Sequence, residues 1–224
     1  MTFSIAGRCP HTGQLGIAIS SSSIAVGARC PWLLAGVGAV SSQNITLPAL
    51  GPRILEQLAQ GHGPDKALSL GMADDPFSDW RQVTVLDAKG NSAVFSGSHS
   101  LGTYHSVQGE QCVAAGNMLA SPQVIEALVS TFEQTPGPLA ARLLAAMHAA
   151  LDAGGEAGPV HSAAVKVAGE HSWPIVDLRV DWHDSAPLDA LSELWIAYEP
   201  QLEAYQTRAL DPRTAPSYGV PGDE

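Results

Sequence analysis

Residues 1–20 read MTFSIAGRCPHTGQLGIAIS. Two apolar segments rich in β-formers, Thr2–Ala6 and Leu15–Ile19, flank His11-Thr12-Gly13-Gln14, a turn signal. The pattern predicts a β-hairpin. The second position of a chain is commonly frayed, yet here Thr2 leads straight into what reads as core.

Working outward, Gly36–Val40 (GVGAV) reads as a third strand whose small residues permit close approach from a facing layer. It is expected to end in Ser41-Ser42-Gln43-Asn44. A helix opens at Leu50-Gly51-Pro52, carries Ile54, Leu55 and Leu58 on one face, and stops at Gly61 and Gly63. A second helix follows Pro64. Gln82–Leu86 and Ser92–Ser96 form a hairpin about DAKG, and Gln111–Ala115 is a strand ending at Gly116-Asn117. Two helices carry Val124 to Phe132 and Leu139 to Leu151 at helical spacing. The run DAGGEAGP, 152–159, is a loop. Ser162–Val167 and Ile175–Val180 make a closing hairpin, and Leu188–Tyr205 is a last helix.

Strands and helices therefore come in blocks rather than in strict alternation, which excludes a doubly wound parallel sheet. The predicted class is α+β: a four-layer αββα sandwich of two mainly antiparallel sheets flanked by helices. Residues 1–210 form a single domain, and 211–224 a loosely ordered Pro-rich tail.

Of the 224 residues, 45% are hydrophobic and 15% charged, and the net charge is −11 with three lysines. No basic stripe exists to displace counterions from phosphate, so nucleic acid and anionic membrane surfaces are not expected partners. No apolar run reaches the roughly 20 residues of a membrane span, and a secretory signal is not expected. Cytoplasmic residence is the expectation, and the low charge suits a homodimer. Cys9, Cys30 and Cys112 are too few and too widely spaced for a disulfide framework or zinc site. No cofactor motif occurs, no metal is expected, and His99 and His105 flank what reads as a solvated loop.

Methionine followed by a small residue is the context in which the initiator is removed. Removal of Met1 would leave a free α-amine on the residue that bears the Thr2 hydroxyl. That amine titrates near pH 8 and lower when partly buried, so at neutral pH it can accept the hydroxyl proton. A nucleophile activated by its own backbone amine needs no histidine.

The segments MTFSIAGRCPHTGQLGIAIS, AVGARCPWLLAGVGAVSSQ, GPRILEQL, RQVTVLDAKG, AAGNMLA and VDLRVDWH resemble the DUF1028 family, proteins of unknown function with an Ntn-hydrolase-like fold. The resemblance runs from Thr2 to about Trp195. It implies the same four-layer sandwich and, by likeness to Ntn hydrolases, cleavage of an amide bond by an N-terminal Thr, Ser or Cys. Cys9-Pro10 stands where the family has an acidic residue before proline, and Ser20–Ser23 where it is often polar with an aromatic following.

Such a reaction needs an oxyanion donor, substrate contacts and an activated nucleophile. With Thr2 as nucleophile, Asn117 is the leading donor and Gln43 a second catalytic candidate. Ser20, Ser22 and Asn44 are candidate substrate or amine contacts, and Arg53 or Arg81 can bind a substrate carboxylate. Arg179 is expected to pair with Asp177 and Asp181, and His161 and His183 are possible second bases. The expected activity is that of a small-molecule amidohydrolase without cofactor. The alternatives are a non-catalytic ligand-binding or scaffold protein, or a nucleophile among Ser20–Ser23 or at Cys30.

Overall fold

The computed structural model describes residues 2–220 and 222. β1 (Thr2–Arg8) and β2 (Leu15–Ser21) form the predicted hairpin, with Phe3 opposite Ser20 and Arg8 opposite Leu15. A single helical turn, α1 (Val26–Arg29), precedes β3 (Pro31–Leu34) and β4 (Gly38–Asn44). Helices α2 (Leu50–Ala59) and α3 (Pro64–Met72) follow, then the hairpin of β5 (Arg81–Asp87) and β6 (Ser92–Ser96). β7 (His105–Gly109) and β8 (Cys112–Asn117) lead into α4 (Gln123–Gln134) and α5 (Leu139–Asp152). β9 (Ser162–Ala168) and β10 (Pro174–Val180) precede α6 (Pro187–Tyr198) and α7 (Leu202–Leu210).

The strands form a six-stranded sheet, β10-β9-β2-β1-β8-β7, and a four-stranded sheet, β3-β4-β5-β6. Every pairing is antiparallel. Period-two alternation gives each sheet two faces. Phe3, Ile5 and Ala114 on the outer face of the large sheet pack under Ile125, Leu128 and Phe132 of α4, Leu143 and Met147 of α5, and Trp195 of α6. Val40, Val83 and Val85 of the small sheet pack under Ile54, Leu55 and Leu68 of α2 and α3. Ala6, Leu15, Ile17 and Val113 from one sheet meet Ala39 and Leu86 from the other. The result is the four-layer αββα sandwich. Each fully buried Leu, Ile or Phe side chain contributes about 1.5–3 kcal/mol of transfer free energy.

The structure departs from the sequence expectations in three places. β3 and β7 were not predicted: β3 is only four residues long and opens on a proline, and β7 is half exposed and mostly polar. The predicted strand Gly36–Val40 begins at Gly38, because Gly36 takes a left-handed φ of 69° in the preceding turn. It then runs through the polar residues to Asn44, where it was expected to end. The predicted helix Leu188–Tyr205 breaks into α6 and α7 around a single 3₁₀ turn that contains Pro200, whose missing N–H interrupts the helical ladder.

Residues 211–220 carry no helix or strand. Arg208 holds them by donating to the Pro216 carbonyl and stacking on Tyr218.

Candidate active site

The inner face of β1 carries Thr2, Ser4 and Ala6. Thr2 sits at the end of the strand, directly opposite Asn117 of β8. Cβ atoms of facing residues lie about 5 Å apart, so the two side chains share one corner of the inter-sheet layer. Thr2 Oγ1 donates to Ser21 Oγ of β2 at 3.3 Å. All three residues are buried, Thr2 at 5% exposure.

Behind this corner lies a buried network that joins the two sheets. Ser4 Oγ donates to Gln43 Oε1 at 2.7 Å, and Ser41 Oγ donates to the same atom at 3.1 Å. Gln43 Nε2 donates to Gln82 Oε1 at 2.8 Å, and Asn117 Nδ2 donates to that oxygen at 3.1 Å. Gln82 Nε2 in turn donates to the Gly116 carbonyl at 3.0 Å and to Ser96 Oγ at 3.1 Å. Gln43 and Asn117 are thus brought together, through Gln82, which sequence reasoning did not single out. Two atoms of the layer, Asn117 Oδ1 and Thr84 Oγ1, are buried without a hydrogen-bond partner. Each orphan costs about 1–3 kcal/mol.

A second residue missed from the sequence is Glu156, in the glycine-rich 152–159 loop. A bridge to Leu119, just past Asn117, holds it in place, and its carboxylate accepts the Ser22 N–H at 3.2 and 3.3 Å. Ser22 adjoins Ser21, so Glu156 stands at the Thr2 corner. It is 5% exposed, and burial pushes its carboxyl up to about 7.

The segment 98–103 crosses the end of the sandwich above this corner. Asn44, in a left-handed conformation with φ 70°, donates to the Trp80 and His99 carbonyls and accepts the Leu101 N–H. The Met118 and Leu119 N–H groups donate to the Leu101 and Thr103 carbonyls. The strap therefore ties the end of β4 to the end of β8. Asn44 is a strap anchor, and its amide is fully engaged there.

Other candidates fall elsewhere. Ser20 faces the helix layer with Phe3, its register partner, and donates to the Ser162 carbonyl. Ser22 meets Glu156 through its backbone. Arg53 is exposed on α2. Arg81 forms a buried pair with Asp75, 2.8 Å from Nε to Oδ2, and donates Nη1 to the Ile45 carbonyl. The Arg81 hydrogen bond, with the Phe77 N–H, holds the Asp75 carboxyl below its usual range. Neither arginine is free at the corner to bind a substrate carboxylate.

Arg179 pairs with Asp181, while Asp177 pairs with Lys166 instead. His161 stacks on Trp182 with Nδ1 at the His183 carbonyl, and His183 Nδ1 accepts the Ser185 and Ala186 N–H groups ahead of α6. His99 stacks on Trp80, and His105 lies 3.9 Å from Glu126. Burial pushes the Cys30 and Cys112 thiols up to about 11 and about 12, leaving both protonated and weakly nucleophilic at neutral pH. Among the described residues, no three His, Cys, Asp or Glu side chains come together as metal donors. No helix among them is long and apolar enough to cross a membrane.

A cavity of about 410 Å³ lined by Ile45, Phe77, Trp80 and Arg81 lies beside the strap. Another, of about 380 Å³, is lined by Cys9, His11, Glu133 and Arg142 beyond the far end of β1 and shares no residue with the Thr2 corner.

Comparison with known proteins gives three findings. The model of DUF1028, described as a family of unknown function, matches residues 2–191. A crystal structure of a DUF1028 protein from Silicibacter pomeroyi is 32% identical, covers 88% of this chain and 85% of its own, and has a TM-score of 0.83. Anbu, an ancestral beta-subunit from Yersinia bercovieri, is 10% identical over 90% of this chain and 96% of its own, with a TM-score of 0.44. No curated protein matches.

Proposed function

The chain belongs to the DUF1028 family, and from that premise we propose that it is an amide hydrolase whose nucleophile is Thr2, exposed as a new amino terminus when Met1 is removed. The observation that carries this reading is the placement of the Thr2 hydroxyl. It faces the inter-sheet layer at its polar end, bonded to Ser21 and opposite Asn117. A buried polar network in a place that apolar packing would otherwise fill is a departure from core rules of the kind functional sites show.

In the mechanism, the neutral α-amine of Thr2 takes the hydroxyl proton as Oγ1 attacks the amide carbonyl. The resulting ammonium gives that proton to the leaving nitrogen, and the C–N bond breaks. Water, deprotonated by the same amine, then hydrolyses the acyl-threonine ester and restores the hydroxyl. The lining favours an uncharged or apolar substrate: Arg53 and Arg81 are both unsuited to a carboxylate, and the cavity of Ile45, Phe77 and Trp80 adjoins the strap.

A second reading, a ligand-binding protein without turnover, draws on the 5% exposure of Thr2 beneath the strap. Treating the purified protein with a β-lactone acylating probe and mapping the labelled peptide separates the two. Label on Thr2, absent from Thr2→Ala, supports the hydrolase. Label only on another residue, or none on protein shown to begin at Thr2, contradicts it.

A further inference from the structure

The amide groups of the inter-sheet network have a fixed sense. The Gly116 carbonyl can only accept, so the Gln82 side chain must turn its NH₂ toward it. Gln82 Oε1 then faces the other way, and both Gln43 and Asn117 must present N–H groups to it. Gln43 is consistent with this sense, since its own oxygen receives the Ser4 and Ser41 hydroxyls. The chain of donors leaves Asn117 with one of its N–H groups engaged and its carbonyl oxygen, fully buried, without a partner. At the corner, Asn117 is the register partner of Thr2 on the neighbouring strand.

We infer that Asn117 is a positioning residue whose carbonyl oxygen accepts a hydrogen bond from the freed α-amino group of Thr2. The inference rests on the Thr2 reading and assigns the group that orients its base. One of the two Asn117 Nδ2 protons is bonded to Gln82, and the carbonyl oxygen is the end of the amide without a partner. An ammonium has three protons to place, and a fully buried carbonyl oxygen is a suitable receiver. The groups presented around Thr2 are Ser21 from β2, Asn117 from β8, and the uncharged Gln43, Gln82 and Ser96 from β4, β5 and β6. Among the described residues, the ionisable side chains brought near there are Glu156 of the 152–159 loop and the buried Cys30 thiol.

The test uses the chain produced to begin at Thr2 by cleavage of an amino-terminal fusion. The α-amine is titrated by competitive acetylation with trace acetic anhydride across pH, read by mass spectrometry of the first peptide. Acceptance by Asn117 stabilises the protonated amine, so Asn117→Leu should lower the amine pKa by about one unit. Asn117→Asp should raise it, and serves if the leucine variant does not fold. A titration unchanged in the variants overturns the assignment and restores Asn117 as a donor or a purely structural residue. Retention of Met1 in the native host would instead overturn the Thr2 reading and leave this titration result standing.

Discussion

The two ends of the inter-sheet layer are built on the same strands and differ in kind. At one end Ala6, Leu15, Ile17, Ala39, Leu86 and Val113 interlock without a polar atom. At the other, beyond the inward Ile19 and Ala115, the same strands present Ser4 and Thr2, Ser21, Ser41 and Gln43, Gln82 and Thr84, and Asn117. The apolar end lowers the free energy of the fold at little risk, because dispersion and water release need no partner geometry. The polar end holds together only while each donor finds its acceptor, and it leaves two acceptors without one. It adds less to stability than leucines would, which marks it as the end kept for chemistry.

Breaking this contrast at its functional point should give the largest effect. Thr2→Ala should lower amide turnover by more than about 10³-fold, measured on the substrate a probe screen identifies, with folding unchanged. Gln82→Leu, at the hub of the polar end, strands Gln43, Asn117 and the Gly116 carbonyl together. It should destabilise the protein by about 4 kcal/mol in urea unfolding. Leu86→Ala, its counterpart at the apolar end, should cost about 3 kcal/mol by leaving a cavity. If the hub change proves no costlier than a surface substitution, the polar end is not a connected network.

Glu156 sharpens the comparison through pH. Its folded pKa of about 7 lies above the ordinary 4.5, so the folded state binds the proton more tightly. Stability contributed by that proton is present below pH 4.5 and lost as pH rises toward 7. At 1.36 kcal/mol per unit the loss is roughly 3 kcal/mol, complete once the pH has passed through 7. Glu156→Gln should remove this slope, so unfolding midpoints at pH 4 and pH 8 should differ less in the variant than in the wild type. The smallest effect belongs to Arg53→Ala, which should change both stability and turnover within error, because the side chain is exposed and away from both ends.

The sequence made the layer order legible because helices α2, α4 and α5 are strongly amphipathic and come in blocks. Thr2, Gln43 and Asn117 were visible as polar residues at strand ends, although Gln43 and Asn117 lie inside their strands rather than in loops. Both faces of β2 are buried, so hydrophobic alternation does not reveal which serine of the run Ser20–Ser23 points inward. Only the pairing of Phe3 with Ser20 settles it. Gln82 is hidden because its strand, RQVTVLD, is polar at both ends, where an amide reads as an ordinary strand terminus. Glu156 lies in a loop with no periodicity, and its burial depends on a bridge to Leu119 far away in the chain. Arg81 offered a free cation on paper because its partner Asp75 precedes it across a turn.

The most direct measurement is the intact mass and first Edman cycle of the protein purified from its native host. The account predicts a chain lacking Met1, with threonine released first. A chain that keeps Met1 while hydrolysing an amide would contradict it, since the Thr2 amine would then be a peptide nitrogen unable to take the hydroxyl proton.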